Sequence, residues 1–143
     1  VRATDYLVLE LPSLDVNVAL ARLVVAAFAA RLEFTLTEIE EIKVAVSEAV
    51  TNAVVHAYGH HPGLVRIQAW VEDGALLVTV CDQGVGIDDV FRAREPAFST
   101  VAERMGMGFS FMEAFCDELR VDSSPGRGTT IHMLKRPRRL PVD

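Results

Sequence analysis

The chain predicts an α/β fold, a two-layer sandwich in which a mixed, mainly antiparallel sheet carries helices on one face. Three observations lead there. Two long segments with helical apolar spacing fill the part before Tyr58. Two alternating apolar runs, Leu64 to Val71 and Ala75 to Cys81, meet at Glu72-Asp73-Gly74 as the arms of a hairpin. A second pair of runs, Leu119 to Ser123 and Thr129 to Lys135, flanks the turn residues Pro125-Gly126-Arg127-Gly128.

In chain order, Thr4 to Leu11 alternates and reads as a first strand closed by Pro12. Ser13 is placed to cap a helix running to about Arg31, with Val16, Leu20, Leu23, Ala27 and Phe28 on its buried stripe and Arg22 off it. A second helix opens at Thr37, with Glu40 at capping-box spacing, and continues to about Tyr58. Its core face is Ile39, Ile42, Val46, Ala49, Val50 and Ala53. Gly59-His60-His61-Pro62-Gly63 is a turn. From Ile87 to Met105 no periodicity persists beyond a possible helical turn at Asp88 to Arg92, and this segment is a candidate lid. A short helix then runs from about Met107 to Phe115.

The 143 residues suit one domain, expected over 1–136, with a disordered basic tail over 137–143. A net charge of -6 disfavours nonspecific binding to DNA or to an anionic membrane. Cys81 and Cys116 lie in apolar contexts without metal-binding spacing, which predicts buried free thiols and a reducing cytoplasm. The longest apolar stretch, Leu23 to Ala30, is too short to cross a bilayer.

Three segments carry chemistry. Glu48 and Asn52 in E-A-V-T-N stand one turn apart on one helix face. Asn52 offers a hard oxygen ligand suited to Mg²⁺, and Glu48 could deprotonate a hydroxyl. Taken singly, Asn52 reads as well as an Asn bonded to a neighbouring loop, and Glu48 reads better as an exposed helix Glu. Asp82 ends a strand and is followed by Gly84 and Gly86, so a carboxylate sits at the lip of a tight turn where it could read a base edge. Gly106 and Gly108 flank Met107 and precede Phe109, and bare N–H groups at a helix start would face phosphates. His56 reads as a helix-end histidine. P-loop and eukaryotic kinase motifs are absent.

Together E-I-K-V-A-V-S-E-A-V-T-N-A-V-V-H-A-Y, D-Q-G-V-G-I, G-M-G-F and G-T-T resemble the GHKL ATPase/kinase superfamily, and within it the bacterial anti-sigma factor kinases of the sporulation type. The resemblance spans Tyr6 to Lys135. It implies a Bergerat-type fold and an ATP/ADP and Mg²⁺ site in which Asn52 is the metal ligand, Glu48 the general base and Asp82 the partner of the adenine amino group. Thr130 would complete the adenine contact, while Gly84, Gly86, Gly106, Met107, Gly108 and Phe109 line the pocket. Arg104 would meet the γ-phosphate and Arg22 a protein partner. The implied protein is a cytoplasmic homodimeric serine/threonine kinase that holds a sigma factor of the sigma-F type and phosphorylates an anti-anti-sigma protein. Phe98 to Met105 departs from the family by being short and lacking its lysine. Alternatives are a stress-response anti-sigma kinase, a nucleotide-gated sigma-binding module without transfer, and the catalytic part of a histidine kinase.

Overall fold

A computed structural model describes residues 5–58, 62–86 and 100–138, with side chains of the last helix described from Met107 onward. Residues 1–4, 59–61, 87–99 and 139–143 lie outside the described residues, and most of the candidate lid, Ile87 to Met105, falls among them.

Five strands form one sheet: β1 (Tyr6–Pro12), β2 (Leu64–Glu72), β3 (Ala75–Asp82), β4 (Glu118–Ser123) and β5 (Thr129–Lys135), in the order β1-β2-β3-β5-β4. Every one of these pairs is antiparallel, the expected preference in its fullest form. The β2–β3 hairpin turns at Asp73 and Gly74, whose φ angles of 51° and 78° are the two positive values a tight two-residue hairpin needs. Because successive side chains point to opposite faces, Leu76, Val78, Val80 and Asp82 of β3 share a face with Lys135, Met133, Ile131 and Thr129 of β5. That face is the buried one, covered by helices α1 (Val16–Ala29), α2 (Leu36–Asn52) and α3 (Thr100–Phe115).

Helix α1 corrects two expectations. It begins at Val16 after Asp15, without a side-chain cap. Ser13 instead clips β1 to β2: its N–H donates to the Gly63 carbonyl at 2.8 Å, and its hydroxyl accepts the Gly63 N–H at 2.8 Å. Of the expected buried stripe only Phe28 is buried; Val16 (77% exposed), Leu23 (54%), Leu20 (45%) and Ala27 face outward. Buried beside Phe28 are Ala21, Val25, Ala26 and Ala29. Nearly the whole helix is apolar, so periodicity offered two stripes; the one rich in alanine allows the closer approach to α2 and to the sheet.

Helix α2 is capped two residues earlier than expected. The Thr35 hydroxyl accepts the Glu38 N–H at 3.2 Å, and Glu38 Oε1 accepts the Thr35 N–H at 3.0 Å, a reciprocal box. The second Glu38 oxygen accepts the Arg138 N–H at 3.0 Å, so the chain is held past residue 136, where the tail was expected to begin. The helix gives way after Asn52 to a π-helical turn, Ala53–Ala57, rather than continuing unchanged to Tyr58. Helix α3 starts at Thr100, seven residues before the expected Met107, and takes in the glycine pair. Its last turn is capped by the buried Lys135 ammonium, which donates to the Phe115 carbonyl at 2.6 Å and lies 3.7 Å from Glu41. Nearby, burial pushes the Cys116 thiol up to about 12, so it stays protonated at neutral pH.

Glu38 is 2% exposed. Burial raises its pKa, but the N–H groups of Thr35 and Arg138, the Thr35 hydroxyl and Lys135 together outweigh that and leave it below the ordinary 4.5. A depressed folded value adds stability that is present above pH 4.5 and is lost as pH falls through the folded pKa. Glu38→Ala is expected to cost about 2 kcal/mol at pH 7 and to flatten the acid limb of stability against pH. Urea denaturation across that range checks both, and an unchanged limb would remove Glu38 from the account.

Candidate functional site

The last turns of α2 bring Glu48 and Asn52 against α3 at Gly108. A side chain there would begin 2.9 Å from Glu48 Oε2 and 3.8 Å from Asn52 Oδ1, so a glycine lets both polar groups reach one spot on the helix backbone. Asn52 Nδ2 is buried with no hydrogen-bond partner among the described residues, an arrangement that is costly unless something polar meets the amide. Among the described residues no group of three His, Cys, Asp or Glu could hold a metal. A cation beside Asn52 would therefore draw most of its ligands from phosphate oxygens and water, which suits Mg²⁺.

At the other end, Asp82 closes β3 opposite Thr129 of β5. Its Oδ1 accepts the Gly84 N–H at 3.0 Å, and the Thr129 N–H also donates to the carboxylate. Burial pushes the Asp82 pKa up, and these two N–H groups offset the rise only in part. The loop after Asp82 is clasped from two sides. The Val85 N–H donates to the Ala57 carbonyl at 2.8 Å, and a Cβ on Gly84 would lie 2.1 Å from that same oxygen. On the far side, the Gly126 N–H donates to the Val85 carbonyl at 2.7 Å. Gly128 (φ 79°) lies so close that a Cβ on it would meet the Asp82 carbonyl at 2.2 Å.

The cleft between these ends is lined by Asn52, His56, Ala57, Asp82, Gly86, Phe109, Thr129 and Ile131. Of the residues the sequence singled out, Asn52, Asp82, Gly86 and Phe109 line it, Glu48 and Gly108 adjoin it, and Gly84 shapes its rim. Met107 is half exposed on α3. Thr130 does not join them. It pairs with Cys81 on the opposite face of the sheet and donates its hydroxyl to the Cys81 sulfur at 3.3 Å. Thr129 takes the place expected of it, because strand alternation puts the partner of Asp82, not of Cys81, on the helix side. The expectation that Gly106 and Gly108 precede a helix is also corrected, since both lie inside α3. Arg104 is on the same helix with its side chain outside the described residues. Arg22 sits apart from the cleft on α1, its Nε buried and without a partner among the described residues. His56, read as a helix-end histidine, lines the cleft, and Gly128, read as a turn residue, packs against its rim. The i+4 step from Asn52 pointed to the first, and the glycine of G-T-T to the second.

The model of the histidine kinase-like ATPase domain matches residues 11–135. The chain belongs to that family. Within it, the anti-sigma F factor of Pasteuria penetrans is 51% identical over 132 residues, covering 90% of this chain and 88% of the relative. The anti-sigma F factor of Caldanaerobacter subterraneus subsp. tengcongensis is 50% identical over 121 residues, covering 83% and 85%. These place the chain in the anti-sigma F branch. Among solved structures, the RsbU and RsbW domains of Rv1364c from Mycobacterium tuberculosis superpose with a TM-score of 0.69 at 24% identity, covering 97% of this chain and 35% of that one, a likeness of fold. The histidine kinase domain of the Erythrobacter litoralis EL346 blue-light activated kinase gives 0.51 at 28% identity, covering 68% and 44%.

Close approach at the rim has a measurable signature. Gly84→Ala and Gly128→Ala are expected to lower stability by about 2–4 kcal/mol. Gly74→Ala, at a positive φ but in open space, should lose only about 1–2 kcal/mol. Denaturant melts of the three variants decide it: equal losses would mean that the contacts around Asp82 are not the constraint.

Proposed function

We propose that the chain is an anti-sigma factor that binds and inhibits a sporulation sigma factor of the sigma-F type, and a kinase that uses Mg-ATP to phosphorylate an anti-anti-sigma protein on serine. The observation that carries this reading is the cleft itself. Glu48, Asn52 and Gly108 converge at one end, and Asp82 is held against Thr129 at the other. The names of the relatives, anti-sigma F factors, supply the partner class.

Each residue has a part that its surroundings favour. Asp82 has a carboxylate fixed by two backbone N–H groups, and it accepts a hydrogen bond from the exocyclic amino group of adenine. Asn52 presents its amide to the phosphate end, where Mg²⁺, when bound, would screen phosphate charge. Glu48, one turn away, takes the proton of the attacking serine hydroxyl. Arg104 on α3 is assigned to the γ-phosphate. The outward stripe of Val16, Leu20 and Leu23, with Arg22 beside it, is the surface assigned to protein contacts, a second copy of the chain among them. Among the described residues no helix is long and apolar enough to cross a membrane. A cytoplasmic site of action is part of the proposal.

Transfer of labelled γ-phosphate from Mg-ATP to a co-encoded anti-anti-sigma protein tests the reading. Glu48→Gln is expected to retain ATP binding and to lose about 10²- to 10⁴-fold in transfer rate. Binding without transfer in the wild type would leave a nucleotide-gated sigma-binding module.

Asp82→Asn separates function from stability. The Asp82 pKa in the folded protein lies above its ordinary 3.8, so the stability owed to this carboxyl falls as pH rises from 3.8 through the folded value. Above that range the ionised group carries a cost that asparagine lacks. The variant is expected to bind adenine nucleotide at least about tenfold more weakly, yet to unfold without nucleotide at pH 7 no lower than the wild type. Calorimetry of both quantities checks this, and a large loss of stability would contradict the assigned charge.

A further inference from the structure

We infer that Tyr58 is a positioning residue for nucleotide recognition: its hydroxyl holds the loop after Asp82 in the geometry that reads the base. The inference rests on the reading of Asp82 as the base contact and adds the group that keeps that contact in place.

Tyr58 follows the π-helical turn directly. Its hydroxyl accepts the Gln83 N–H at 2.7 Å and donates to the carbonyl of Leu64, the first residue of β2. One hydroxyl thus bridges the residue next to Asp82 and the start of a different strand. A phenol oxygen is suited to this, since it is donor and acceptor at once. Gln83 lies just beyond the β3 ladder, and Leu64 is the last residue paired between β1 and β2, opposite Pro12.

The ring needs room to reach this position, and Gly63 supplies it. A Cβ on Gly63 would lie 2.2 Å from the Tyr58 ring, closer than any real contact. Gly63 is in turn fixed by its two hydrogen bonds with Ser13, at the junction between β1 and α1. The loop after Asp82 is therefore tied through Tyr58 and Gly63 to a segment outside the cleft. Tyr58 is not among the residues lining the cleft. Its effect on a ligand passes through Gln83 and Asp82, which separates it from a contact residue.

Two backbone N–H groups tether the loop on this side, that of Val85 to the Ala57 carbonyl and that of Gln83 to the Tyr58 hydroxyl. Tyr58→Phe keeps the ring and the first tether and removes the second together with the bond to the Leu64 carbonyl, so the fold should survive while Asp82 is less well placed. The experiment titrates wild type and variant with ADP and with IDP, whose hypoxanthine carries a carbonyl where adenine carries the amino group. The wild type is expected to prefer ADP. In Tyr58→Phe the affinity for ADP should fall by about five- to tenfold, IDP should change little, and the preference should collapse. Gly63→Ala, which displaces the ring without touching the hydroxyl, should do the same. An ADP preference retained in both variants overturns the inference and leaves the role of Asp82 standing. Equal weakening of both nucleotides gives Tyr58 a structural part only, and also overturns it. A wild type that does not distinguish ADP from IDP removes Asp82 as the base contact, and this inference with it.

Discussion

The backbone at Ala57 governs this structure more than any side chain. Its carbonyl stands where a Cβ on residue 84 would fall, and it accepts the N–H of Val85. For that oxygen to point at the loop, the helix carrying Glu48 and Asn52 has to loosen into a π-helical turn after Asn52. For the loop to come so close, residue 84 has to lack a side chain. The end of β3, the position of Asp82 and the floor of the cleft all follow from this contact between two stretches of main chain.

How much of this was legible depends on the range of the interaction that decides it. The two hairpins were readable because turn residues and strand alternation are local, and Asp73-Gly74 forms its turn as expected. The capping box was readable in kind but not in place, since Thr35–Glu38 and Thr37–Glu40 share a spacing and only burial of Glu38 against the Arg138 backbone separates them. The outward stripe of α1 was misread because an almost wholly apolar helix has no unique face until its neighbours choose one. In the site, Glu48, Asn52 and Asp82 stood out as polar residues in apolar runs. Thr129 and Thr130 could be told apart only by the β3–β5 register, a long-range fact. The glycines inside α3 read as a break because glycine disfavours helix interiors by about 1 kcal/mol; packing against Glu48 and Asn52 accounts for Gly108.

Three buried charged groups serve different ends. Glu38 has several donors and helps hold α2 to the C-terminal segment. Lys135 closes the last turn of α3 and lies near Glu41. Asp82 is the exception, with burial only partly compensated by its two N–H partners. The imbalance sets Asp82 apart from the other two.

The order in which the sheet is joined carries a last consequence. β2–β3 and β4–β5 pair across short connections, whereas β3 and β5 are brought together with α3 threaded between them in the chain. Asp82 and Thr129 meet only across that long-range seam. An opening that parts the seam could leave both hairpins intact and yet contain no cleft, so a bound nucleotide adds its binding energy to the seam in particular. Amide hydrogens along β3 and β5 then record ligand occupancy, while those at the β2–β3 turn remain indifferent to it.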